Sequence, residues 1–294
     1  MAEILLSLTI IGVVAAITFP SLTGNINERT WNTQRKALYA RFSQAIALMP
    51  ALNGYGTLTE DENGSVTEDT AAETFVTAGL SKVLKINNIC DANNMDDCGL
   101  PTQYIRQDNA EKIDWPTTMD SLVELSGCGF GSIQNTKAAA FETANGEAIA
   151  LYYNPTCISD LVQLSGTNWV QTQRRVCANL IYDLNGNKGP NTIGKDIGVI
   201  TILDPIDPQV VAPVFATRDS QISSASVGAT CTAFDTEYRA PNFNELISLY
   251  FNKHLFGFAE NSYYYQAGDG WYMAFNTGSA LKGMDGSRTR CVKR

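Results

Sequence analysis

The sequence is short of the residues from which most catalytic and metal centres are built. Histidine occurs once, at His254, inside the aromatic-rich stretch FNKHLFGF. Any imidazole-dependent nucleophile–base set would have to use it, and a lone histidine beside aromatics reads more simply as structural. Gly-x-Ser-x-Gly is absent. The Gly-rich stretch SGCGFGS at 126–132 lacks the lysine of a phosphate-binding loop and a helix after it. No Cys-x-x-Cys occurs, which argues against a zinc site of the usual spacing. Carboxylates are plentiful but scattered, which leaves a glycosidase pair open; the missing nucleophile–base and phosphate-binding motifs point away from an enzyme. Charge is scarce, 17% against the usual ~25%. Basic charge is scarcest: 21 Lys and Arg against 30 Asp and Glu give a formal net charge of −9. General nucleic-acid binding is not expected, because counterion release needs a basic face. The C-terminal cluster Lys282, Arg288, Arg290, Lys293 and Arg294 reads as a solvated tail.

What the chain does contain is seven cysteines, at 90, 98, 128, 157, 177, 231 and 291. Their spread fits disulfides in an oxidising compartment. Cys90 and Cys98 bracket a short polar loop and are expected to pair. Cys157 with Cys177, and Cys231 with Cys291, are the further pairings that locality favours, leaving Cys128 over. At 294 residues the chain is long enough for a substantial core.

The most distinctive stretch is ILLSLTIIGVVAAITF, Ile4 to Phe19. It carries no charge and, with its flanks, approaches the ~20 residues of a membrane-spanning helix. A cleaved secretory signal would have Lys or Arg before the run; here Glu3 precedes it. A plain membrane anchor explains the apolarity but not the carboxylate. Pro20 lacks a backbone donor and crowds the carbonyl of Ala16, so a bend is expected near Thr18–Leu22, and Gly24 weakens the helix further. From 26 to 49 the pattern becomes amphipathic. Trp31, Leu38, Phe42, Ala45 and Met49 fall at helical spacing, with Arg29, Arg35, Lys36 and Arg41 elsewhere. Pro50, Gly54 and Gly56 end the helix.

AEILLSLTIIGVVAAITFPSL resembles the N-terminal segment of type IV pilins and type II secretion pseudopilins. Glu3 matches that family's glutamate and Pro20 its helix-bending proline. The likeness covers roughly the first 50 residues, the length of the long helix. It implies a structural subunit, a minor pilin or pseudopilin, anchored in the membrane before assembly into a filament. It implies partners as well: other pilin or pseudopilin subunits through this helix, the membrane, and a prepilin peptidase acting on a short basic leader upstream. A carboxylate in an apolar helix costs several kcal/mol unless paired. In the family the glutamate is thought to pair with the N-terminal amine of a neighbouring subunit, which selects axial register. Bases after the anchor would favour a cytoplasmic globular part. The cysteines favour an extracytoplasmic one, and that is the expectation taken. A membrane-anchored adhesin that never polymerises is the alternative.

The remaining chain reads as α+β: a long N-terminal helix packed on an antiparallel β-sheet globular domain, pilin-like in outline. Residues 1–24 form the membrane or filament-core half, and residues 25–294 the globular domain including helix 26–49. The stretch 52–70 reads as loop and 71–86 as helical, with an irregular region to about Gly131. Lys137–Thr143 and Glu147–Tyr153 flank Ala144-Asn145-Gly146, a hairpin pattern. Cys177–Tyr182 and Asp196–Leu203 complete four strands. The Pro-rich 204–213 ends the sheet. A short helix over 241–256 and strands within 263–275 come after it.

Between the last two sheet strands lies DLNGNKGPNTIGKD, 183–196. Asp183, Asn185, Asn187 and Asp196 offer hard oxygen ligands of the kind calcium takes. The sixth-place glycine and twelfth-place glutamate of an EF-hand are missing. Turn chemistry of the Asn-Gly and Gly-Pro pairs is the favoured reading, so no cofactor is expected, with calcium as the alternative. Some pseudopilins hold calcium in a loop of the sheet domain, so the resemblance adds weight to the cation.

Overall fold

The structure, a computed structural model, describes residues 28–49, 71–91, 94–106, 111–114, 138–158, 176–203, 209–216, 220–222, 226–256, 264–275, 280–282 and 288–293. Glu3, Pro20, the apolar run, Cys128, the Gly-rich stretch at 126–132 and the side chains of Cys157, His254 and Lys282 lie outside them, as does Arg294. No helix among the described residues is long and apolar enough to cross a membrane.

Helix α1, residues 28–49, follows the amphipathic pattern. Leu38, Phe42, Ala45, Ile46 and Met49 are buried, and Trp31 packs half-buried beside them. Leu38, Phe42, Ala45 and Met49 recur every three or four residues, so they project from one side of the helix. That side lies on a six-stranded antiparallel sheet made by β1 (Ile86–Asp91), β4 (Ala138–Thr143), β5 (Ala148–Ile158), β6 (Val176–Asp183), β7 (Ile197–Leu203) and β8 (Gln209–Val211), in that spatial order. The ribbon β2 (Gln103–Ile105) and β3 (Lys112–Asp114) falls in the connection between β1 and β4.

The β4–β5 turn forms where Ala144-Asn145-Gly146 places it. The Thr143 N–H donates to Glu147 O at 2.9 Å, and Gly146 has φ 83°, a conformation that favours glycine. The side chain of Glu147 is nearly buried. It accepts from Thr143 Oγ1 and pairs with Arg41 of α1, whose Nη1 donates to Glu147 Oε2 at 3.3 Å. The ion pair thus pins the helix to this hairpin.

The sheet is covered on both faces. Ile149, Leu151 and Tyr153 of β5 meet α1, while Ala148, Ala150 and Tyr152 turn to the opposite side. There the C-terminal third of the chain forms a second layer. It comprises α3 (Val227–Phe234), α4 (Phe243–Phe251), α5 (Lys253–Phe256) and a second sheet of β13 (Ala280–Lys282), β12 (Trp271–Ala274), β11 (Tyr264–Gln266), β14 (Arg288–Thr289) and β9 (Ser220–Gln221), in spatial order. A small ribbon pairs β10 (Tyr238–Arg239) with β15 (Val292–Lys293). Helix α4 begins with a capping box: Asn242 accepts from the Glu245 N–H, and Glu245 accepts from the Asn242 N–H.

A fully buried polar cluster joins the two layers. Asn179 of β6 and Asn252, just after α4, exchange amide hydrogen bonds of 2.9 and 3.0 Å. Thr201 Oγ1 of β7 donates to Asn179 Oδ1 at 2.9 Å and lies 2.7 Å from Ser248 Oγ of α4. These bonds have one geometry, whereas apolar contacts alone would tolerate a sliding helix.

Several expectations need correction. The sheet has six strands, not four. The helical reading of 71–86 holds as far as Lys82 but not as one α-helix: α2 (Ala71–Thr74) continues as a π-helical turn, Phe75–Gly79, and a 3-10 turn, Leu80–Lys82, and Ile86 already belongs to β1. Strand β1, INNICD, is poor in β-formers, and its pairing with β4 overrides that composition. Residues 204–213 do not end the sheet, because β8 adds an edge strand between the prolines. An edge position tolerates flanking prolines that a central strand would not. Cys90 is bonded to Cys98, and Cys231 to Cys291. Cys177 is also disulfide-bonded.

Candidate metal centre

The β6–β7 connection, 183–196, is built more elaborately than a reversal of direction requires. Asp183 ends β6 and Ile197 opposite it begins β7. The loop closes through the Leu184 N–H, which donates to Asp196 O at 3.0 Å. A 3-10 turn, Gly186–Lys188, comes next, and the Gly189–Pro190 peptide is cis. Gly186 has φ 59° and sits against the backbone oxygens of Gly99 and Gly146; a Cβ there would lie 3.3 and 3.5 Å from them. The loop therefore rests on the turn after Cys98 and on the β4–β5 hairpin. It is also tied to β2: the Ile105 N–H donates to Asn191 O at 2.7 Å, and the Ile193 N–H to Ile105 O at 3.0 Å.

Within this frame three buried side-chain oxygens have no hydrogen-bond partner among the described residues: Asp183 Oδ2, Asn185 Oδ1 and Asn191 Oδ1. Leaving such atoms unmet costs about 1–3 kcal/mol each. All three belong to one fourteen-residue loop. Their orientation is set by neighbours. Asp183 Oδ1 accepts from the Asn185 N–H at 3.0 Å, and Asn185 Nδ2 donates to Gly189 O at 2.7 Å. Asn191 has φ 51°, a region asparagine enters more readily than most residues. Burial pushes the Asp183 carboxyl up to about 7; the charge of Asp196 adds to the shift, and the N–H groups of Asn185 and Gly186 oppose it. A carboxylate in this position is short of positive charge.

The structure sorts the four sequence-derived ligands. Asp183, Asn185 and Asp196 come together. Asn187 is exposed on the 3-10 turn. Asp196 acts mainly as an organiser: its Oδ2 accepts from the Asn191 N–H and its Oδ1 from the Thr192 N–H, both at 2.7 Å. Asn191 was not foreseen. Its signal was the Gly-Pro-Asn turn, which places an asparagine where the chain needs a left-handed residue. Among the described residues no three His, Cys, Asp or Glu side chains gather in one place. A cation here would depend on amide oxygens as well as carboxylates, a donor set suited to calcium.

A second concavity lies between α1, β8 and the start of α4. It has a volume of about 840 Å³, an apolar floor that includes Val210, Val211 and Ile200, and a rim carrying Lys36, Tyr39 and Lys293. Lys293 bonds Glu28 of α1 at 2.7 Å, which joins the C-terminal strand to the start of the helix.

No family model, curated protein or solved structure matches this chain.

Proposed function

We propose that this protein is a filament subunit of the pilin or pseudopilin type, anchored in the membrane by its N-terminal helix before assembly and carrying calcium in its β6–β7 loop. The reading rests on one conjunction. In the sequence, the charge-free run Ile4–Phe19, preceded by Glu3 and followed by Pro20, comes before an amphipathic helix that lies on an antiparallel sheet. The globular part is extracytoplasmic in this reading, consistent with its disulfides. Glu3→Ala should reach the membrane yet form no filaments. Normal filaments from that variant, seen by electron microscopy of sheared cells, would reject the assembly role.

Asp183, Asn185 and Asn191 would hold the calcium, and Asp196 would keep their backbone in place. The ion would supply positive charge and a rigid cross-link within the loop. One observation favours the second reading, an anchored adhesin that does not polymerise: a second layer covers the sheet face opposite α1, in addition to the helix and sheet that the filament reading uses. Upstream coding sequence separates the two. A short basic leader ending in Gly-Phe-Thr favours the filament subunit, and a different upstream sequence favours the adhesin.

A further inference from the structure

Arg35 of α1 reaches the candidate calcium loop from outside. Its Nη2 donates to Gly194 O at 2.7 Å and to Lys195 O at 2.6 Å, while Nη1 donates to Asn32 Oδ1 on the same helix at 2.7 Å. The guanidinium therefore spans two carbonyls of the loop and one side chain of the helix. These carbonyls immediately precede Asp196, whose carboxylate holds the backbone of Asn191 and Thr192. Burial lowers the pKa of Arg35, while Tyr182, Glu28 and Asp196 favour its charged form. Tyr182 lies across Gly198, where a Cβ would be 2.3 Å from its hydroxyl. The Tyr182 ring therefore occupies the space that a side chain at position 198 would need.

We propose that Arg35 is the positioning residue that couples the β6–β7 loop to helix α1, so that a cation bound in the loop tightens the helix on the sheet. The proposal rests on the calcium reading of the loop. Its physical basis is the fork geometry: Nη2 holds both loop carbonyls while Nη1 of the same rigid plane holds the helix, a separation that the one nitrogen of an ammonium does not span. Arg41 is the internal comparison, because it fastens the same helix to the β4–β5 hairpin rather than to the loop. Linkage makes the coupling reciprocal: whatever factor calcium contributes to helix protection, the helix contact returns to calcium affinity.

The test is hydrogen exchange on the full chain in detergent, with calcium chloride and with chelator, for the wild type, Arg35→Gln, Arg35→Lys and Arg41→Gln. In the wild type calcium should slow exchange in 183–196 and, by about 10-fold, in the α1 stretch 32–40. Arg35→Gln and Arg35→Lys should keep the loop effect and lose the helix effect, while Arg41→Gln keeps both. Loop protection without helix protection in the wild type would overturn the coupling alone. Equal helix protection in Arg35→Gln, or full rescue by lysine, would overturn the role of the fork. No calcium effect on the loop at all would overturn the calcium reading beneath it, and the coupling with it.

Discussion

Asp183 is the residue whose chemistry most constrains this protein. Its folded pKa of about 7 lies above the ordinary 3.8, so the folded chain keeps a proton that the unfolded chain has released. Between about pH 4 and pH 7 that difference lowers stability as pH rises, and above pH 7 the loss is complete. The chelated wild type should therefore lose melting temperature across this window relative to Asp183→Asn. Calcium should cancel the loss, because the ion replaces the proton. A thermal melt of both proteins at pH 5 and pH 8, with chelator and with calcium, measures it; a calcium-independent melting temperature would remove the metal. The buried amide pair argues in the same terms. Asn252→Ala strands the Asn179 amide and should cost about 1–3 kcal/mol in denaturant unfolding. Replacing both by alanine should cost less than the sum of Asn179→Ala and Asn252→Ala, because each single change already loses the exchanged amide bonds and strands the other amide, and Thr201 Oγ1 keeps Ser248 Oγ as a partner. Additive costs would show that the pair is not coupled.

Elements differ in how far their own residues specify them. Helix α1 and the β4–β5 hairpin were legible because each has a local cause: an apolar period of three to four residues in one, Asn-Gly between β-forming runs in the other. Strand β1 was not legible, since its stability comes from pairing with β4 and from the turn that Cys98 closes, both non-local in origin. Helix α3, VGATCTAF, has no marked apolar stripe; its place is held by the bond from Cys231 to Cys291 across 60 residues. Closing a loop of that length removes about 4 kcal/mol of denatured-state entropy. A Cys231→Ser/Cys291→Ser double variant should lose stability of that order. Hydrogen exchange should place the loss in α3 and the 288–293 segment, leaving the six-stranded sheet protected. Uniform loss across both layers would show that the two unfold as one unit.

At the scale of the whole molecule, the unforeseen feature is the second layer. Runs such as AIALYY and GVITIL read as strands in any case, but their lack of polar alternation has a cause in the tertiary structure: both sheet faces are covered. Alanines 138, 140, 148 and 150 line the face toward α4, and their small side chains let that layer approach closely. The candidate metal loop shows the same division. Its hard-oxygen character was visible in the spacing of Asp183, Asn185, Asn187 and Asp196. Which oxygens remain unmet depended on where the backbone N–H groups of Asn191 and Thr192 point. By itself the sequence determined the amphipathic helix, the central strands, two disulfides and the loop that carries polar ligands, because each arises from neighbours in the chain or from cysteine locality. The tertiary structure alone decided that the sheet is buried twice, that the Asn191 side-chain oxygen is buried and unmet while Asn187 is exposed, and that Arg35 joins loop to helix. Those outcomes depend on contacts between residues as many as 160 positions apart, whose geometry no local pattern encodes.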